Sequence, residues 1–151
     1  MRSRAISIIA AVDMLIMAGA AQGRDFGMGA IFGEPTGISG KAWTSSRTAV
    51  DFAMAWNLDN EQDFNAHVDY VYHDFSVFKV TRGALPLYYG VGGRLMDAAD
   101  THLGIRGVIG LNYIFAKAPF DLFFEVAPVL DIAPSTETDI EGGFGFRFYF
   151  K

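Results

Sequence analysis

From Phe26 onward, apolar and polar positions alternate with a period of two, the pattern of strands that present two unlike faces. Between Thr48 and Leu58 one parity carries Val50, Phe52, Met54, Trp56 and Leu58, and the other carries Ala49, Asp51, Ala53, Ala55 and Asn57. Leu103, Ile105, Ile109, Leu111, Tyr113 and Phe115 share a face against His102, Gly104, Arg106, Gly110 and Asn112, with Gly107, Val108 and Ile114 as exceptions. Phe120, Leu122, Phe124, Val126, Leu130 and Ile132 oppose Asp121, Glu125, Ala127 and Asp131. Ile140, Phe144, Phe146, Phe148 and Phe150 oppose Glu141, Gly143, Gly145, Arg147 and Tyr149. Helical periodicity is weak throughout.

Weaker segments complete a set of eight predicted strands, near 25 to 33, 37 to 44, 48 to 58, 63 to 74, 85 to 97, 101 to 115, 119 to 132 and 138 to 150. Most are long enough to cross a bilayer at a tilt, which takes about 9 to 11 residues, and exceed the 5 to 6 usual in soluble sheets. Short connections such as Glu34-Pro35-Thr36, Ser45 to Arg47, Asp59 to Gln62 and Ala98 to Asp100 fit antiparallel neighbours, and only Phe75 to Ala84 is longer. Pro128 breaks the pattern, because proline removes a ladder donor and a closed barrel has no edge to hide it; a bulge is expected there.

Alternation does not say which face is outside, but size does. The interior of an eight-stranded barrel is just filled by side chains and cannot hold Phe, Trp, Met and Leu from every strand. The bulky parity therefore faces outward. The opposite parity is rich in small residues, among them Gly27, Gly29, Ala53, Ala55, Gly90, Gly92, Gly104, Gly110, Gly143 and Gly145, which suit a narrow lumen. The predicted fold is thus all-β: an eight-stranded antiparallel up-and-down transmembrane β-barrel with its faces inverted relative to a soluble one. Threading the strands up and down from the end that holds both termini brings Trp43, Tyr72, Tyr89, Tyr113, Phe115, Phe120, Phe148 and Phe150 to one rim, an aromatic girdle of the kind found at a membrane interface.

Composition agrees. Of 151 residues, 51% are hydrophobic, 15% aromatic and only 19% charged, too apolar for an ordinary soluble domain. A net charge of −5 with scattered Lys and Arg argues against nucleic-acid binding, and the absence of cysteine excludes disulfides and thiolate chemistry. Arg2 and Arg4, the apolar run Ala5 to Met17 and the small residues Ala18-Gly19-Ala20 read as a signal peptide over residues 1–20, cleaved after Ala20 or Gly23, with residues 24–151 forming the barrel. Asp13 interrupts that run, and an N-terminal core helix is the other reading of the segment.

The closing segment Gly143-Phe144-Gly145-Phe146-Arg147-Phe148-Tyr149-Phe150 resembles the C-terminal signal of bacterial outer-membrane barrels, in which alternating aromatics and a terminal Phe are read by the assembly machinery; here Lys151 follows that Phe. Phe144, Phe146, Phe148 and Phe150 would form this assembly signal. In its architecture the whole chain resembles the small barrels of the OmpA transmembrane-domain and OmpX type. That resemblance implies the outer membrane of a Gram-negative bacterium as location, with outer-membrane lipids and the barrel-assembly machinery as partners. Such relatives commonly carry long extracellular loops, whereas every predicted connection at that end of this chain is short, which argues against adhesion or receptor roles.

The predicted lumen face carries Lys41, Arg94, Arg106 and Arg147 with Asp51, Asp69, Asp121, Glu125, Asp131 and Glu141, plus His67, His73 and His102. Unpaired charges in so narrow a space are costly, so a cross-strand salt-bridge network is expected: Arg94 with Asp69, Arg106 with Glu125, and Arg147 with Glu125 or Asp25. His67 and His73 lie six residues apart on one strand, about 20 Å at 3.3 Å per residue, so they do not share a metal ion, and no metal or cofactor is expected. Neither a Gly-x-Ser-x-Gly elbow nor a phosphate loop is present, and His73 with Ser76 is the nearest approach to a nucleophile and base. The reading is a non-enzymatic structural barrel with a closed lumen. Two other classes stand beside it: an outer-membrane lipid-modifying enzyme of the lipid A deacylase or acyltransferase kind, and a soluble lipocalin-like lipid binder.

Overall fold

In a computed structural model, residues 26–34, 36–56, 64–97 and 100–150 are described. The segment read as a signal peptide, Asp25 as a partner for Arg147, and the connection Asp59 to Gln62 lie outside them. Eight strands run β1 (Phe26–Glu34), β2 (Gly37–Trp43), β3 (Thr48–Trp56), β4 (Phe64–Asp74), β5 (Leu87–Asp97), β6 (Thr101–Ile114), β7 (Phe120–Ala133) and β8 (Glu137–Phe150). Each pairs antiparallel with its sequence neighbours, and β1 closes on β8 from Phe26↔Phe150 to Glu34↔Gly142. Both ends of the barrel wall therefore meet at one rim, taken here as the lower end.

Burial follows the two-residue period. Along β7 it alternates without a break from Phe120 to Ile132, and the same alternation covers β6 from Leu103 to Asn112 and β8 from Glu141 to Phe150. The exposed parity is apolar: Val91 is 67%, Phe124 58% and Ile140 68% exposed. The buried parity holds the charges, with Lys41, Asp69, Arg106, Asp121 and Arg147 each at or below 1%. The polarity of the molecule is inverted relative to a soluble fold.

Glycine makes this wall possible in two ways. A Cβ on Gly29 would lie 1.8 Å from the carbonyl oxygen of Phe146, so the tightly coiled strands meet there only without a side chain. Elsewhere the missing side chain makes room for a large lumen neighbour. Gly27 lies under Tyr149, Gly110 under Tyr88 and Gly145 under Phe123, with would-be Cβ contacts of 2.6–2.8 Å. Tyr149, Tyr88 and Phe123 are thus admitted to the lumen opposite glycines.

The bulge expected at Pro128 is absent. Gly107–Pro128 and Val108–Ala127 drop out of the β6–β7 ladder, yet the register resumes unchanged, with Arg106↔Val129 above and Ile109↔Val126 below. On the other side Pro128 keeps its place opposite Ile140. The missing N–H therefore falls toward β6, where side-chain-free Gly107 faces the ring, and the two strands part slightly instead of slipping. The one register shift in this pair lies higher, between Leu103 and Gly104.

Candidate functional site: the charged lumen

Among the described residues, six buried carboxylates (Asp51, Asp69, Asp121, Glu125, Asp131 and Glu141) share the lumen with four buried cations, Lys41, Arg94, Arg106 and Arg147. All ten are residues that alternation assigned to this face. Their pairing follows the glycines. Row by row across the wall, Asp69 stands beside Gly92 and Gly92 beside Arg106, so the guanidinium passes over the gap and its Nε lies 2.9 Å from Asp69 Oδ1. Arg94 likewise stands beside Gly104, itself opposite Asp131, and donates through Nη2 to both carboxylate oxygens at 2.7 and 2.9 Å. Tyr88 reaches over Gly110 to donate to Glu125 Oε1 at 2.8 Å.

Arg106 is the hub. Its Nη2 donates to Glu125 Oε2 at 3.0 Å, and its Nη1 donates to Glu141 Oε1 at 2.9 Å and to His67 Nδ1 at 3.0 Å. The expected Arg106–Glu125 pair is therefore present, within a larger cluster. Arg94 does not pair with Asp69, as expected from strand proximity, because Arg106 occupies that carboxylate; Arg94 instead holds Asp131, with Asp139 at 3.2 Å and Glu141 at 3.5 Å. Arg147 does not pair with Glu125 either. Its Nε donates to Asp121 directly opposite at 3.0 Å, Asp51 lies 3.7 Å away, and its guanidinium lies 4.1 Å from the Phe123 ring centroid. Tyr149 completes this corner by donating its hydroxyl to Asp121.

His67, Asp69 and Glu125 place ligand atoms within 4.8 Å of one another, the spacing a metal ion would use. The Arg106 guanidinium lies among them and contacts all three, so the cluster already surrounds a cation. His73 has both ring nitrogens engaged: Nδ1 donates to the Arg47 carbonyl at 3.0 Å, and Nε2 accepts from Lys41 at 2.6 Å. Ser76 donates its hydroxyl to Asp74 at 2.5 Å. The structure thus does not bring His73 and Ser76 together as base and nucleophile. His102, at the upper rim, lies 3.9 Å from Asp131.

Tyr72, Tyr89, Tyr113, Phe115, Phe120, Phe148 and Phe150 stand at the lower end on the outward parity. They form contacts between Tyr72 and Tyr89 (5.7 Å), Tyr113 and Phe115 (4.9 Å), Phe120 and Phe148 (5.2 Å) and Phe148 and Phe150 (5.1 Å). Trp43 is a correction. It shares the face of Lys41, and its ring packs 4.3 Å from His73 and 5.0 Å from the Lys41 ammonium. With Ser46, Phe75, Ile114 and Tyr149 it lines a pocket of about 240 Å³ at the lower mouth. Phe144, Phe146, Phe148 and Phe150 all point outward. Tyr88, Asn65, Asn112 and Asp139 join the lumen network without having been singled out from the sequence, although parity places each on that face. Asn65 donates to Glu141 at 3.0 Å, and Asn112 donates to the Leu122 carbonyl at 3.0 Å and accepts from Lys41 at 3.5 Å.

No family model matches the chain, and no curated protein sequence matches it. Among solved structures, the chain is similar in fold to the N-terminal β-barrel domain of Pseudomonas aeruginosa OprF, with 14% identity, a TM-score of 0.59, and coverage of 84% of this chain and 96% of that one.

Proposed function

We propose that this protein is an integral outer-membrane barrel with a non-enzymatic, structural role, its lumen closed by the salt-bridge network. The observation that carries the reading is the inverted polarity of the wall: a continuous apolar exterior around an interior of ten buried charges. Water cannot solvate that exterior favourably, whereas hydrocarbon can, because the closed ladder leaves no unpaired strand edge between β1 and β8. The likeness to the OprF barrel domain agrees with it, and the outward array Phe144 to Phe150 suits a signal for assembly into the membrane.

The closed lumen follows from its filling. Arg94, Arg106 and Arg147 each bridge two or more carboxylates at successive heights, and Trp43 and Tyr149 line the lower mouth. Expression followed by fractionation and heat-modifiable gel migration tests location and fold. The protein is expected in the detergent-soluble membrane fraction, with a compact band that shifts on boiling. Recovery in the soluble periplasmic fraction without detergent contradicts the reading and favours the lipocalin-like alternative. Planar-bilayer recording tests the plug: no stable open-channel conductance is expected, and a persistent open state contradicts it.

A further inference from the structure

The three connections at the lower end, residues 44–47, 75–86 and 115–119, carry Arg47, Lys79, Arg82 and Lys117 and not one Asp or Glu. All four cations are exposed. Asp74, the last residue of β4, adjoins Arg47, and against that single charge the four cations still make a locally basic rim in a chain of net charge −5. Both arginines are tied to the outward aromatic girdle. Arg47 donates through Nη1 to the Tyr72 hydroxyl at 3.3 Å, and Tyr113 donates its hydroxyl to the Arg82 carbonyl at 3.1 Å. Tyr89, whose ring centroid lies 5.7 Å from that of Tyr72 at a tilt, stands on the strand between them. Beside these cations the longest connection exposes Val77 (48%), Phe78 (44%) and Val80 (39%).

Cations and exposed apolar side chains on one connection are poorly matched to bulk water. They fit the region where phosphate headgroups meet acyl chains. We propose that Arg47, Lys79 and Arg82, with the Tyr72–Tyr89–Tyr113 face, form a site for the phosphate of anionic phospholipids in the adjoining leaflet, with Val77, Phe78 and Val80 seated at the top of the acyl region. Charge complementarity selects the headgroup, and the hydrogen bonds to Tyr72 and Tyr113 hold this connection and the Arg47 turn against the lipid-facing wall. The site rests on the reading that the apolar exterior lies in a bilayer.

The test uses the protein reconstituted in phosphatidylcholine bilayers with spin-labelled phosphatidylglycerol or phosphatidylcholine as probe, reading relative association from the motionally restricted fraction. The parent is expected to prefer phosphatidylglycerol. Each surface cation is worth up to about fivefold in association, so three together are worth up to roughly a hundredfold, and the combined substitution Arg47→Gln, Lys79→Gln, Arg82→Gln should abolish the preference, bringing it to parity. Arg47→Lys with Arg82→Lys should keep most of it. Heat-modifiable migration of each variant confirms that the barrel is intact.

No preference in the parent, an unchanged preference in the triple variant, or an equal loss from Lys117→Gln alone overturns the site; the last result shows a diffuse field. If the chain inserts into bilayers but shows no preference, only this inference fails. If it does not insert at all, the membrane reading fails and takes the site with it.

Discussion

Replacing Arg106 with Met tests the lumen network at its hub. The substitution keeps much of the side-chain bulk and removes a guanidinium that contacts Asp69, Glu125 and Glu141 within 3.0 Å and donates to His67. Three carboxylates, each at most 6% exposed, then lose the cation they share, and only Glu141 retains another, Arg94. Breaking a buried pair by removing one partner costs about 3–5 kcal/mol, and with Asp69 and Glu125 left without a cation, while Glu141 keeps Arg94 at 3.5 Å, this variant falls at the upper end of that range. For a barrel of this size that loss corresponds to a fall of roughly 10–20 °C in Tm. The assay is the temperature at which the compact gel band converts to the unfolded one, measured in detergent for the parent, Arg106→Met and the exposed control Lys117→Met. Adding Asp69→Asn and Glu125→Gln to Arg106→Met should recover much of the loss, because the orphaned charges disappear. A shift no larger than that of Lys117→Met, or no recovery on neutralisation, refutes the reasoning that Arg106 balances these acids.

Gly104→Val places a Cβ 2.7 Å from Asp131 Oδ1 and closes the gap through which Arg94 reaches it; it should destabilise by about 1–3 kcal/mol. Gly93→Ala, whose Cβ meets nothing closer than 3.7 Å, should stay within about 0.5 kcal/mol of the parent, and equal effects in the same gel assay contradict the glycine-gap account. With Trp56→Phe leaving Trp43 as the single tryptophan, emission in brominated-lipid vesicles should be largely unquenched, because its ring packs on His73 inside the wall; strong quenching returns Trp43 to the outer girdle.

Much of this architecture is legible in the sequence because a two-sided wall writes its period directly into the chain. Strand limits fall within about two residues of the alternating segments, and Val50 to Met54 or Phe120 to Ile132 show their faces without knowledge of the neighbours. Partner choice is less legible. Arg94 and Asp69 stand on adjacent strands, yet the pairing depends on which neighbouring position lacks a side chain: Gly104 opens Asp131 to Arg94, and Gly92 opens Asp69 to Arg106. That requires the register of three strands at once, which single-strand periodicity does not contain. Trp43 is different, since it stands two residues from Lys41 and must share its face. Its height near the rim suggested a girdle residue, but parity already carried the correct signal. At Pro128 the expected bulge is one of two solutions to a missing donor, and the structure takes the other, parting β6 from β7 opposite Gly107.

The central claim is that the apolar parity of the wall faces hydrocarbon, and the chain's lack of native cysteine allows single spin labels to test it directly. Labels introduced by Val91→Cys, Ile109→Cys, Phe124→Cys and Ile140→Cys in the reconstituted protein should collide readily with oxygen and hardly at all with a water-soluble nickel chelate. Preferential collision with the nickel chelate at these outward positions would place them in water and contradict the account.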